Sequence, residues 1–84
     1  MKKCTVTVTG KDSVGIIAKV CMYMAENNIN ILDVDQRADD GIFHMVAVTD
    51  IEKSVKGTAV IAEELRVLGM QIGVDISCSQ EDNL

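Results

Sequence analysis

Tryptophan and proline are absent from these 84 residues, and phenylalanine and tyrosine occur once each. A chain this poor in aromatics has no platform for stacking the bases of single-stranded nucleic acid. Its core must be built from Ile, Val, Leu, Met and Ala. Positive charge is also scarce: 8 Lys and Arg stand against 13 Asp and Glu, for a net charge of −5. That balance argues against gripping duplex DNA or RNA by phosphate neutralisation. No apolar run approaches the roughly 20 residues of a membrane span. Met1-Lys2-Lys3 leads into alternating Thr and Val, not into the apolar block of a signal peptide. The expectation is a soluble, cytoplasmic protein that binds neither nucleic acid nor membrane.

Cysteine is present only as Cys4, Cys21 and Cys78. An odd count without a Cys-x-x-Cys pair indicates neither a disulfide framework nor a zinc knuckle. Each cysteine sits at an apolar-phase position, where it acts as a small hydrophobe. The one histidine, His44, has no serine near it in sequence, so a Ser-His-Asp arrangement has little to draw on. Without proline, repeats or low-complexity segments, the chain reads as one domain over residues 1–79 with a polar tail at 80–84. So small a domain has a thin core, and oligomerisation is a usual way to add buried surface.

What is there is organised around Val6-Thr-Val-Thr-Gly-Lys-Asp-Ser-Val-Gly-Ile-Ile17. The alternation over about Cys4 to Thr9 predicts a strand with one buried face. Gly10 is expected to release the chain from the sheet with φ > 0. Asp12 or Ser13 is expected to cap a helix from about Val14 to Glu26, with Gly15 in its first turn. Ile17, Val20, Cys21 and Met24 would form the helix's apolar stripe, and Asn27-Asn28 would end it. Free N–H groups at such a helix start suit a carboxylate.

A second strand is expected from Ile29 to about Ala38, with Leu32, Val34 and Ala38 on one face. Asp39-Asp40-Gly41 then signals a hairpin. The third strand, Ile42 to Thr49, is apolar on both faces and is expected to be central and covered on both sides. Asp50 would cap a second helix from about Ile51 to Leu68. Val55, Thr58, Ala59, Ala62, Leu65 and Leu68 would line its inner face, Glu52 and Lys56 would pair outside, and Gly69 would be the C-cap. A fourth strand would alternate from Met70 to Cys78.

The order βαββαβ predicts an α+β, ferredoxin-like sandwich: a four-stranded antiparallel sheet in the order 4-1-3-2 with both helices on one face. The other face carries Thr5, Thr7, Thr9, Asp33, Asp35, Arg37, Asp75 and Ser77 around Ile42, Val46 and Val48. An apolar centre with a polar rim suits an interface, and a second copy could meet it there or along the edge of the first strand and helix. Asp33, Asp35 and His44 share this face without a dedicated metal-ligand spacing. Strand order also brings Cys4 near Cys78, as reduced core thiols or as a cross-strand bridge.

Within this order, Gly10-Lys-Asp-Ser-Val-Gly-Ile-Ile17 and Asn27-Asn-Ile-Asn-Ile31 resemble the ACT domain, a small regulatory module that binds amino acids. Asp12, Gly15, Ile16, Ile17, Asn30 and Ile31 match its signature. Gln36 and Asp40-Gly41 sit where the family tends to place them. The likeness covers nearly the whole chain and is to the small stand-alone members. It implies an effector held between the first loop and the second strand of a neighbouring subunit. Here the loop positions are Gly10, Lys11, Asp12, Ser13, Val14, Gly15 and Ile16, and the neighbour's are Asn30 and Ile31. Helix N–H groups would hold the carboxylate, Asp12 would accept from the ammonium, and Asn30 can donate and accept. Val14 departs from the family, which usually has proline there.

The sequence therefore reads as a non-enzymatic regulator, with no cofactor or metal, forming a homodimer that senses an amino acid or similar metabolite and acts on a partner enzyme or regulator. The alternative is an interaction subunit with no small-molecule ligand.

Overall fold

The valines that alternate with threonine along the first strand give it one dry face, and the rest of the domain packs on that face. The structure, a computed structural model, describes residues 1–80. The chain runs β1 (Lys3–Lys11), α1 (Ile16–Glu26), β2 (Asn30–Asp39), β3 (Ile42–Asp50), α2 (Thr58–Ile72) and β4 (Val74–Gln80). The strands form one antiparallel sheet in the order β2-β3-β1-β4. This is the expected topology. Ile16, Val20 and Met24 of α1, with Ile61 and Leu65 of α2, cover Val6, Val8, Met45, Ala47 and Ile76 in a single core. Both helices therefore lie on one face.

Two connections follow the sequence closely. Asn27 closes α1 and Asn28 takes φ 56°. Asp40 and Gly41 turn the β2–β3 hairpin with φ 50° and 77°, the left-handed pair that matches strand twist.

The first corner differs. β1 runs on to Lys11, and Gly10 stays in the sheet between Phe43 and Val74. A Cβ there would lie 2.9 Å from Cγ1 of Val74, so Gly10 is required by close packing and not by a turn. Neither Asp12 nor Ser13 caps α1. Gly15 does so at φ 92°, with no side-chain cap, and the helix starts two residues later than expected. Its dry stripe shifts with it. Ile16, Val20 and Met24 are buried, whereas Ile17 is 36% exposed and Cys21 is half-buried.

β2 is an edge strand with a bulge. Ile31 faces Thr49 and Asp33 faces Val48, which leaves Leu32 as the extra residue. Leu32 thus drops out of the alternation expected with Val34. Val34, Gln36 and Ala38 oppose inward-facing Ala47, Met45 and Phe43, yet the helices do not reach over them and all three are exposed. β3 is central but covered on one side only. Phe43, Met45, Ala47 and Thr49 are buried, while Ile42 and Val46 are exposed. The buried Thr49 hydroxyl donates to the Cys4 carbonyl at 2.8 Å.

α2 begins at Thr58, not Ile51, behind Gly57. Asp50 ends β3 instead of capping a helix. Its carboxylate accepts from the backbone N–H of Glu52 at 3.0 Å and of Lys2 at 3.1 Å. These bonds hold its carboxyl below the usual carboxylate range. Ile51 is buried and donates its N–H to the Lys2 carbonyl at 2.8 Å, so this segment is pinned to the chain start. Glu52 and Lys56 do not pair with each other: Glu52 meets the N-terminal ammonium at 3.2 Å and Lys56 meets Glu64 at 2.7 Å. Val55 is fully exposed, and Ile61, Leu65 and Gly69 form the buried stripe.

Gly69 lies inside α2, where the carbonyl of Val74 would sit 2.5 Å from an added Cβ. The C-cap is Gly73, at φ 83°. Met70 and Ile72 therefore belong to the last turns of α2 and not to the fourth strand. β4 keeps the expected phase, with Val74 and Ile76 buried. Gln80, placed in the tail by the sequence reading, closes β4; positions 81–84 of that tail lie outside the described residues.

The three cysteines are free. Cys4 opposes Gln80 and Cys78 opposes Val6, so the two thiols are diagonal neighbours. Diagonal Cα atoms lie about 7–8 Å apart, at or beyond the reach of a disulfide. Burial pushes the Cys78 thiol up to about 12, and Cys4 beside it adds to the effect.

Candidate functional site

The loop from β1 to α1 is anchored by a backbone hydrogen bond. The N–H of Asp12 donates to the carbonyl of Gly41 at 2.8 Å, which fastens the loop to the β2–β3 hairpin. Gly15 then turns the chain into α1, and the first helical bond runs from the N–H of Lys19 to the Gly15 carbonyl at 3.1 Å. The N–H groups of Ile16, Ile17 and Ala18 precede that bond, and no side chain caps them. No acidic residue lies in this first turn to offset the dipole.

The residues that carry these groups line a hollow of about 410 Å³, within the range of about 300–1,000 Å³ usual for small-ligand sites. It is lined by Asp12, Ser13 and Gly15 of the loop, by Ile16, Ile17 and Ala18 of α1, and by Phe43 of β3. Such a place can accept a carboxylate at the helix start, a cation at Asp12 and an apolar body against the apolar side chains.

The residues expected from the sequence divide three ways. Asp12, Ser13, Gly15 and Ile16 come together at the hollow. Gly10 packs against Val74, Lys11 pairs with Ile42 at the end of β1, and Val14, within the loop, is fully exposed. Asn30 and Ile31 lie elsewhere. Asn30 opposes Asp50, at the far end of β3 from Ile42. The span from Ile42 to Asp50 is roughly 26 Å at about 3.3 Å per residue. One chain thus holds the two halves of the expected site at opposite ends of its sheet.

Ile17, Ala18 and Phe43 line the hollow without being among the site residues that the sequence predicts. A helix beginning at Val14 places Ile17 in the core stripe; the observed start at Ile16 puts Ile16, Val20 and Met24 there instead. The i, i+4, i+8 set of Ile16, Val20 and Met24 is the signal that frees Ile17 for the hollow.

On the open sheet face, Asp35, Arg37, His44 and Val46 border a second hollow of about 280 Å³. Nδ1 of His44 lies 3.4 Å from the hydroxyl of Thr9. Asp33, Asp35 and His44 share this face as expected, but no group of three or more metal-binding side chains converges among the described residues.

Further along α1, Tyr23 ties the helix to α2. Its hydroxyl donates to Oε1 of Glu64 at 2.9 Å, and Nζ of Lys56 donates to the same oxygen at 2.7 Å. Burial, and then the Glu64 carboxylate, push the phenol well above its ordinary range. Lys56, followed by Tyr23, holds Glu64 below its own. No helix among the described residues is long and apolar enough to cross a membrane.

Comparison with known proteins bears on the family and the fold. A sequence profile described as the ACT domain matches residues 5–69. A UPF0237 protein of Bifidobacterium longum is 42% identical over 82 residues, which cover 98% of this chain and 91% of that protein. A UPF0237 protein of Methanocaldococcus jannaschii is 37% identical over the same shares. Among solved structures, an ACT domain protein from Streptococcus pneumoniae superposes with a TM-score of 0.84 at 32% identity, covering 94% of this chain and 89% of that one. A formyltetrahydrofolate deformylase from Pseudomonas syringae has a TM-score of 0.87 at 21% identity. That match covers 95% of this chain but 28% of the deformylase, and the likeness is one of fold.

Proposed function

This chain belongs to the ACT domain family, and from that membership we propose that it is a non-enzymatic, cytoplasmic regulatory module that binds a free amino acid between two copies of itself. The observation behind this reading is the separation of the half-sites. Asp12 and the start of α1 stand beside the hairpin at the end of β2, and Asn30 begins that same strand. β2 is an edge, with Leu32 and Val34 exposed on it. If two β2 strands pair antiparallel about a two-fold axis, the start of each meets the end of the other. A register that sets Asn30 of one copy against Asp39 of the other brings Asn30 and Ile31 of the second copy to the rim of the hollow.

In that arrangement the free N–H groups of α1 bind the carboxylate, Asp12 takes the ammonium, and Asn30 from the other copy closes the site. A ligand shared by two chains binds the paired state better than separate chains. It therefore shifts that equilibrium, and with it the surface offered to a partner enzyme or regulator. The second reading is an interaction subunit without a ligand. Exposed Val14, Met22 and Leu32 favour it, because they offer apolar contact whether or not the hollow is filled.

A two-dimensional amide titration of the full chain with pooled amino acids at millimolar concentration tests the choice. Saturable shifts at Asp12, Gly15 and Asn30 are expected. Amides that stay fixed in every pool would leave the interaction-subunit reading in possession.

A further inference from the structure

The lining of the hollow is of two chemical kinds. Its polar side chains, Asp12 and Ser13, both belong to the loop, next to the uncapped start of α1. The other side chains that line it, Ile16, Ile17, Ala18 and Phe43, are all apolar. Of these, Phe43 is buried at 6% exposure, while Ile17 lies outside the buried stripe of α1 and is 36% exposed. An amino acid whose two charged groups sit at the loop is left with these apolar groups for its side chain. A hydroxyl, carboxylate or ammonium there would lose water and find no partner. An aliphatic side chain would gain by burial.

We infer that the ligand is an amino acid with an aliphatic side chain, and that Ile17 on the wall of the hollow selects it. This rests on the amino-acid reading above and adds the class of ligand to it. Ile17 is a specificity residue here: it meets the variable part of the ligand and leaves the common part to the loop.

Calorimetric titration of the full chain with leucine, valine, serine, glutamate and lysine tests the inference. Leucine or valine is expected to bind at least about 10-fold tighter than serine or glutamate. Ile17→Ser should shrink that ratio towards one, and Ile17→Val should keep it. The partly exposed position makes both variants compatible with folding. Serine or glutamate binding as tightly as leucine would overturn the inference and leave the regulatory reading standing. Absence of binding by any amino acid would remove both. A third result also counts against it: if Ile17→Ser leaves the ratio unchanged and alters only the sedimentation of the protein, the wall serves the second copy and not the ligand.

Discussion

The backbone N–H of Asp12 and the carbonyl of Gly41 are joined at 2.8 Å, so the loop that opens α1 moves with the hairpin that closes β2. Binding at the loop should therefore be felt across the hairpin. In an amide titration with the preferred amino acid, Gly41 is expected to shift in parallel with Asp12 and Gly15, at the same ligand concentration. Asp12→Ala should weaken binding about 10- to 100-fold, the value of a lost hydrogen bond to a charged group. Its side chain is exposed, so thermal stability should change little.

Val34 stands near the middle of the edge strand and is 48% exposed. Val34→Lys places a charge where two copies of β2 would meet. Sedimentation at micromolar concentration should show wild-type dimers and mutant monomers. The mutant should also lose ligand shifts at Asp12, although Val34 does not line the hollow. A monomeric mutant with unchanged ligand affinity would refute the shared site.

Gly10 and Gly15 are both glycines of the expected ligand loop, yet they fail differently when substituted. Gly10→Ala forces a methyl against Val74, 2.9 Å away, and overpacking of this kind costs about 1–3 kcal/mol. For a domain of this size that is a fall in melting temperature of roughly 4–8 °C per kcal/mol. Ligand affinity of the folded fraction should not change. Gly15→Ala meets no atom within 4 Å, but its φ of 92° is left-handed and costs about 1–2 kcal/mol. Because it also moves the first N–H groups of α1, this variant should lose affinity as well as stability.

Tyr23 is the chain's one tyrosine, so its ionisation can be read from absorbance near 295 nm without overlap. The folded protein should ionise well above the ordinary phenol value of about 10, and Glu64→Gln should lower the midpoint. A raised phenol pKa favours the fold fully below about pH 10, and that contribution fades as pH climbs through the folded value. Denaturant melts should accordingly lose stability above about pH 10, and less so in Tyr23→Phe.

Topology was readable because its signals were local: the Val–Thr alternation of β1, Asn27-Asn28, and Asp40-Gly41 all act within a few residues. The errors arose where a residue answered to something distant in sequence. Gly10 resembles a turn glycine until Val74 is brought against it. Asp50 resembles an N-cap until Lys2 and Glu52 claim its oxygens. Gly69 resembles a C-cap until β4 crosses it and Gly73 takes that part. For the hollow, Asp12, Ser13 and Gly15 could be named from their order, whereas Phe43 enters through strand pairing alone.

The separation of Asp12 and Asn30 along one sheet has a quantitative side. Under the proposed pairing, every molecule carries two incomplete receptors, and a complete one exists only when two molecules meet. At concentrations well below the pairing constant, the number of working receptors rises with the square of the amount of protein. Halving synthesis would then cut responsiveness about fourfold. The cell could set the sensitivity of this regulator by copy number alone, without altering a residue of the binding site.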